Sequence, residues 1–433
     1  MFKRVVLSFC ALSSVLILAG CPHIPDSPSS IGGPYPSLER AAGVYATADG
    51  GFIVMGDRTC PPLMNFGEQV FLSKRDANGA KEWSSRFFAP ITNTVPLSMK
   101  GKVVKETPSG EFVVAGVLTF WSLYGKLGTN MDVPYDAGGA VPWSGFLLCV
   151  DSTGKEKWRR VYRDSDGTWG WVNDVAPMSG GGFALACHEY RYEVGRREYL
   201  RKTDSQGNPE WDLDAPANGH ADAVQSLSDG GCILAGTYRQ SGSDDDFFLL
   251  KADSGGNMVW TRTYASLGAA IALMPVPPRV TLREMADGSL LAAGAGYASG
   301  TFFLLRTDAD GNETGRYVQT VPLTYYLQSV VATGDGGCIL GGDDQGAVGT
   351  PPYVIKIGPL GQVQWATRLE TLDTPAAAST YVQPRGRDGY VTVLTTATRI
   401  DELNPWSSGP GFDFNIEAFS LTGEGAVSPW PTP

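Results

Sequence analysis

The chain reads as all-β, a seven-bladed β-propeller of four-stranded antiparallel blades. Three observations predict this. First, the octet "DGGCILAG" at 229–236 returns as "DGGCILGG" at 335–342, and weaker copies at 49–56, 109–116, 180–187, 287–294 and 387–394 bring the number to seven. Second, each copy is followed by another phrase, such as "FFLLKADSGGNMVW" ending at Trp260. Trp83, Trp158, Trp211 and Trp365 close four of the others, and the fifth and seventh copies lack the Trp. Third, the resulting unit of about 50 residues has room for four short strands, the size of a propeller blade.

Within a unit, strand a is the stretch before Asp-Gly-Gly, as in "ADAVQSLS". Asp-Gly-Gly supplies the positive-φ positions of a tight a–b hairpin. Strands b and c, "CILAG" and "FFLLK", are apolar runs bounded by Gly and Asp, which is a strand signal. Asp-x-x-Gly turns the c–d hairpin, and "VWTRTY" is strand d. No linker interrupts the copies, so one closed ring is expected over 38–430. Closure also protects sheet edges that would otherwise pair with other chains.

The N-terminal stretch reads differently. Lys3 and Arg4 precede an apolar run from Val5 to Leu18. That run is shorter than the roughly 20 residues that span a bilayer and fits a secretory leader. "LAGC", Leu18 to Cys21, resembles the bacterial lipobox, which implies cleavage after residue 20 and lipidation of Cys21. Pro22 in place of Asp after that Cys favours export to the outer membrane. Residues 21–37, "CPHIPDSPSSIGGPYPS", have little to bury and read as the lipidated Cys with a flexible tether.

Charge narrows the partners. Lys and Arg number 34 against 45 Asp and Glu, a net charge of −11, and loss of Lys3 and Arg4 with the leader leaves −13. Such a surface repels phosphate backbones, which excludes nucleic acid as a partner. Five cysteines stay in the folded part, at 60, 149, 187, 232 and 338, without close spacing. That is neither a disulfide framework nor a zinc site, and at most a bridge or two is expected. Cys232 and Cys338 share the slot of Phe52, Phe112, Phe183 and Tyr390, which assigns them to packing between blades.

A meander of this kind puts the a–b and c–d turns at one end of the ring and the b–c and d–a connections at the other. Function concentrates in irregular loops held on a rigid frame. The longest such loop, 117–145, carries Trp121, Tyr124, Tyr135 and Trp143. Trp169 and Trp171 lie on the next connection; His188, Tyr190 and Tyr192 follow in the third unit, and Trp406 in the seventh. Trp and Tyr offer large flat contact areas at low entropic cost, so these residues are the candidate binding face for protein or glycan.

Chemical motifs are few. "DADGNE" at 308–313 resembles a calcium loop, but it falls on a c–d turn, and turn chemistry accounts for it. The acidic run "SDDDF" at 243–247 reads as a solvated loop, and "DSDGTW" at 164–169 has the wrong spacing and place for a sialidase Asp-box. His188 and His220 fall in neighbouring units and read as surface or turn histidines rather than a joint catalytic or metal pair. The recurring Trp residues are expected to pack at blade edges. No metal, cofactor or catalytic residue is assigned.

The paired phrases resemble those of bacterial exported proteins with repeated "GGY-I-V-A-G … LLK-D-x-x-G-N-x-x-W" motifs, related in style to quinoprotein-like propellers. The resemblance covers nearly all of 38–430 and implies a fold rather than an activity, because most members of that group have no assigned function. The vicinal Cys signature of quinone-dependent dehydrogenases is absent from the sequence. A propeller lipoprotein of outer-membrane assembly is a looser analogue, with eight blades and a different repeat. The expected function is a lipid-anchored, non-enzymatic binding or scaffold module of the cell envelope. The alternative is an extracytoplasmic glycan-active enzyme, a hydrolase or lyase.

Overall fold

The computed structural model describes residues 38–59, 69–89, 97–120, 143–162, 169–191, 195–217, 219–238, 246–265, 267, 280–295, 301–320, 326–343, 353–369, 377–385, 389–403, 410–422 and 427–429. Every described element is a strand. β1 (Leu38–Ala46), β2 (Phe52–Thr59), β3 (Gln69–Arg75) and β4 (Lys81–Phe87) form the first sheet. β5 (Leu97–Glu106), β6 (Phe112–Phe120), β7 (Trp143–Val150) and β8 (Glu156–Tyr162) form the second. The third holds β9 (Trp169–Pro177), β10 (Phe183–Arg191), β11 (Gly195–Thr203) and β12 (Pro209–Asp214). The fourth holds β13 (Gly219–Ser226), β14 (Cys232–Tyr238), β15 (Asp246–Ala252) and β16 (Met258–Tyr264). The fifth holds β17 (Val280–Glu284), β18 (Leu290–Ala295), β19 (Thr301–Thr307) and β20 (Glu313–Thr320). The sixth holds β21 (Tyr326–Ala332), β22 (Cys338–Asp343), β23 (Tyr353–Ile357) and β24 (Val363–Arg368). The last holds β25 (Ala377–Arg385), β26 (Gly389–Leu403), β27 (Pro410–Thr422) and β28 (Val427–Pro429). All pairings are between antiparallel sequence neighbours, which makes the molecule a β-propeller of four-stranded blades. Six sheets follow one unit closely; the last has a 15-residue β26 and a three-residue β28.

The turns explain the repeated phrases. In the a–b hairpin after β13, Gly230 adopts φ 84° and Asp229 Oδ1 accepts the Gly231 N–H at 2.9 Å. The second oxygen of that Asp binds the lysine of strand c, Lys251, at 2.7 Å. The same lock joins Lys74 to Asp49 at 2.6 Å and Lys356 to Asp335 at 2.8 Å. In the c–d hairpins one carboxylate organises the turn. Asp308 Oδ1 accepts the N–H groups of Asp310 and Asn312 at 3.0 and 2.8 Å. Its Oδ2 accepts Asn312 Nδ2 at 2.9 Å, so the calcium-like run is a hydrogen-bonded turn.

The apolar core is divided among the sheet interfaces. Along each strand alternate side chains face the preceding and the following sheet. Thus Ile233 and Leu249 pack toward Leu290 and Phe303 of the fifth sheet, whereas Leu234 and Phe248 pack toward Ala184 and Leu200 of the third. The last sheet packs on the first, with Val391 and Tyr381 against Val44 and Phe52. Cys232 and Cys338 are buried at such interfaces, and the thiols of Cys149, Cys187, Cys232 and Cys338 are all free. Burial pushes each of the four thiols up to about 12, which leaves no thiolate for reaction near neutral pH.

The recurring Trp is interface packing. Trp83 meets Phe112 edge-on at 5.7 Å, and Trp158 and Trp365 meet Phe183 and Tyr390 at 5.8 and 5.7 Å. Trp83, Trp158, Trp211 and Trp260 also cover the c–d turn glycine of the next sheet. A Cβ on Gly154 would come within 2.6 Å of Trp83, and on Gly256 within 2.7 Å of Trp211. In the fifth unit Tyr317 takes over the Trp's task and lies 3.0 Å from the Cβ position of Gly361.

One irregularity recurs on the inner strands. β1, β5, β9, β13 and β21 each carry a β-bulge, with the extra residue being Ala42, Lys102, Asn173, Asp222 and Gln328 in turn, while β25 shifts register at another place, between Ala377 and Ser379. In all five the bulged residue lies four positions before the strand residue that pairs with the start of strand b. A bulge re-aims a side chain and steepens the local twist. Here it also draws a neighbouring carbonyl over strand b: a Cβ on Gly116 would overlap the Lys100 carbonyl, and on Gly236 the His220 carbonyl. This close approach is why Gly stands at positions 116 and 236.

Candidate functional site

The inner strands surround a channel of about 930 Å³. Lys102, Lys105, Asp174, Arg283 and Gln328 are among its walls. On the side of the second to fourth sheets the bulged residues are polar and connected. Lys102 Nζ donates to Asn173 Oδ1 at 2.6 Å, and Asn173 Nδ2 donates to the Ala221 carbonyl at 2.7 Å. Lys102 also stands over the Trp171 ring, 5.0 Å from its centroid.

Trp171 begins a row of stacked rings. It packs on His188 with centroids 3.7 Å apart and planes 16° from parallel. His188 in turn faces His220 at 6.1 Å and 20°. On the second sheet, Trp143 approaches Trp171 at 5.6 Å and is 43% exposed. Glu198 binds this row from β11. Its Oε1 accepts His188 Nδ1 and, at 2.9 Å, Arg196 Nη2, while Oε2 accepts the Ala221 N–H at 3.0 Å. The same Oε1 is 3.8 Å from His220 Nδ1, a buried nitrogen without a hydrogen-bond partner.

The electrostatics follow from burial and from these neighbours. Burial acts to raise Glu198, but the hydrogen bond from His188 and the nearby imidazoles outweigh it and hold the carboxyl below its ordinary value. Burial pushes His220 down, against the opposing pull of Glu198. It also pushes Lys102 down to about 7, with Asp222 and Glu198 resisting. Asp222 is pushed up to about 7, first by burial and then by the charge of Glu198. A lysine and a carboxyl that both titrate near neutrality can exchange protons with a bound molecule.

A second cavity, about 250 Å³, opens between the second and third sheets and is lined by Trp171, His188, Tyr162, Tyr199 and Arg201. Lys102 borders the channel and Trp171 this pocket, so the two cavities approach each other across the Lys102–Trp171 contact.

Of the residues singled out in the sequence, Trp143, Trp171 and His188 come together here. Tyr190 is half-buried at the far end of β10, two residues beyond His188. Cys21, Trp121, Tyr124, Tyr135, Tyr192 and Trp406 lie outside the described residues, as do the side chain of Trp169 and most of the acidic run at 243–247. The expectation of surface or turn histidines fails. His188 lies in β10 with 5% exposure, because the register pairs it with Glu198. His220 lies in β13, where the bulge at Asp222 carries it beside His188. Sequence reasoning missed Lys102, Asn173, Glu198 and Asp222. For Glu198 a signal existed, since it fills the strand-c position held by Val70, Phe247 and Phe302 in sister sheets. Among the described residues, no three His, Cys, Asp or Glu side chains gather as a metal site.

No protein-family model matches the chain, and no curated protein does. Solved structures of similar shape include a protein of unknown function from Dyadobacter fermentans, 12% identical, covering 89% of this chain and 97% of its own, at a TM-score of 0.47. The β-propeller domain of the Trilobed protease from Pyrococcus furiosus is 8% identical over 91% of this chain and 98% of its own, at 0.46. Virginiamycin B lyase from Staphylococcus aureus is 9% identical over 83% and 95%, at 0.45. These likenesses concern the propeller fold, and none carries an activity over to this chain.

Proposed function

We propose that the protein is a lipid-anchored binding module of the bacterial cell envelope, held on the outer membrane through Cys21. In this reading its seven-bladed propeller captures a protein or glycan at the loop-bearing end of the second to fourth blades, without catalysis. The observation that carries the reading is the contiguous row Trp143–Trp171–His188–His220 bound by Glu198. Ring packing does not account for it: the first, fourth and fifth sheets fill the Glu198 position with apolar side chains, and burying charge costs stability unless it is fully paired. An exposed Trp beside polar donors is what a recognition surface presents.

The test uses Trp143→Ala and Arg196→Ala, two side chains that are 43% and 46% exposed and whose loss leaves the frame intact. Both variants are expected to lose capture on a glycan array and against purified envelope proteins, with unchanged circular dichroism. Full capture by both would overturn the assignment. Cys21→Ala is expected to shift the protein from the membrane to the soluble fraction.

A second reading, a glycan hydrolase or lyase, is favoured by Lys102 and Asp222, both brought to about 7. It predicts turnover of a bound glycan that Asp222→Asn abolishes while binding persists.

A further inference from the structure

Within the reading of a ligand site at the loop end, we infer that the ligand is an acidic saccharide: its carboxylate is received by Lys102 and His220 and its sugar ring lies on the indole of Trp143. The protein as a whole is strongly acidic, at −11, yet its channel carries Lys102 and Lys105, which feel Asp222 and Glu198, and Asp174, through space rather than through a carboxylate hydrogen bond. Three carboxylates on the channel wall are already committed to backbone amides. Glu106 accepts the Ala48 N–H at 2.7 Å, Glu284 the Ser228 N–H at 2.7 Å, and Asp174 the Val175 and Val224 N–H groups at 2.9 and 3.0 Å. Burial moreover raises Asp174 above the ordinary carboxyl range. The cations are bound differently: Lys102 rests on an amide oxygen and the Trp171 ring, and Lys105 rests over Tyr45 at 5.5 Å.

The unused bonding capacity has the same sense. An ammonium carries three N–H donors, and one of those on Lys102 is used by Asn173. His220 Nδ1 is buried and has no hydrogen-bond partner, and the nearby Glu198 oxygens are taken by His188, Arg196 and Ala221. The remaining N–H groups of Lys102 and the unpartnered His220 nitrogen, a donor once protonated or in its Nδ1–H form, lie beside a Glu198 carboxylate already held by three donors, and together they call for an anionic acceptor from outside. The aromatic side selects a sugar. A pyranose offers an apolar C–H face to an indole and hydroxyls to the flanking polar groups, and Trp143 is the ring of this cluster left open to solvent.

The experiment titrates the full chain by calorimetry with a hexuronate trisaccharide and with the same trisaccharide after reduction of its carboxyl groups. The uronate is expected to bind, and the reduced sugar at least tenfold more weakly. Uronate affinity should fall as NaCl rises. Lys102→Met and His220→Ala are each expected to weaken the uronate about tenfold or more and leave the reduced sugar unaffected, whereas Gln328→Ala, across the channel, changes neither. Should Lys102→Met fail to fold, the salt dependence and His220→Ala carry the test. Equal binding of both sugars, with loss in Trp143→Ala, would overturn the acidic specificity and leave the loop-end site standing. Absence of uronate binding at millimolar concentration, or binding indifferent to Lys102, His220 and Trp143, would overturn the inference itself.

Discussion

The two sides of the central channel are built on one backbone and filled differently. β5, β9 and β13 bulge at Lys102, Asn173 and Asp222, which reach toward a buried Glu and two histidines. β1 and β21 bulge at the same register with Ala42 and Gln328, and β17 pairs with β18 from Val280 to Glu284 without a described bulge. The bulge therefore belongs to the blade design, and the residue placed on it belongs to the site. Repetition marks what closes the ring, and departure from repetition marks what the ring is used for.

The largest effect should come from the quiet side. Phe303 is fully buried between the fourth and fifth sheets, so Phe303→Ala should cost about 3–5 kcal/mol in chemical unfolding while uronate affinity below the transition is unchanged. A loss of affinity would mean that the two sides are coupled. Next, Gly116→Ala pushes a methyl into the Lys100 carbonyl and should cost about 2–3 kcal/mol, against less than about 0.5 kcal/mol for Gly180→Ala, where nothing lies within 4 Å. Equal costs would show that the bulge does not constrain strand b.

Titration separates the sides further. Lys102, lowered by burial to about 7, is charged below that pH and neutral above it. Its surroundings, Asp222, Glu198, Asn173, Trp171 and His220, are the groups that set this balance. Uronate affinity should therefore fall roughly tenfold from pH 6 to pH 8, since about one pH unit on either side changes the charged fraction from most to little. A flat profile would remove Lys102 from the site. The smallest effect belongs to the frame. Burial acts to raise Asp49, but Lys74 and the turn amide outweigh it and bring it to about 2. A carboxyl depressed in the folded state stabilises above its unfolded value near 4 and loses that contribution as pH falls toward 2. Asp49→Asn should flatten the melting temperature over that acid window and lower it modestly at pH 7, where the contribution of this half-exposed carboxylate is fully present.

The strands, both tight turns, the packing Trp residues and the buried Cys232 and Cys338 were legible because each is written in residue types that only one local geometry satisfies. The bulge was not, because its residue is Ala, Lys, Asn, Asp or Gln, with no side chain in common. Its trace was the Gly that closes phrases such as those ending at Gly116 and Gly236, explicable as strand punctuation until the overlying carbonyl is seen. The third unit advertised itself more openly. It puts Cys187 where Gly56, Gly116 and Gly236 stand and Glu198 where Val70, Phe247 and Phe302 stand, and both lie within a strand's length of His188. What joins His188 to His220 is the stagger between adjacent sheets, which no single strand's pattern contains.

Indole N–H resonances give the most direct test of the claim that deviation from the repeat marks the site. On addition of the hexuronate trisaccharide, the Trp143 and Trp171 signals should shift in ¹H–¹⁵N spectra, while those of Trp83, Trp158, Trp211, Trp260 and Trp365 stay in place. Shifts confined to the five packing residues, or absent from Trp143 and Trp171 at saturating sugar, would contradict it.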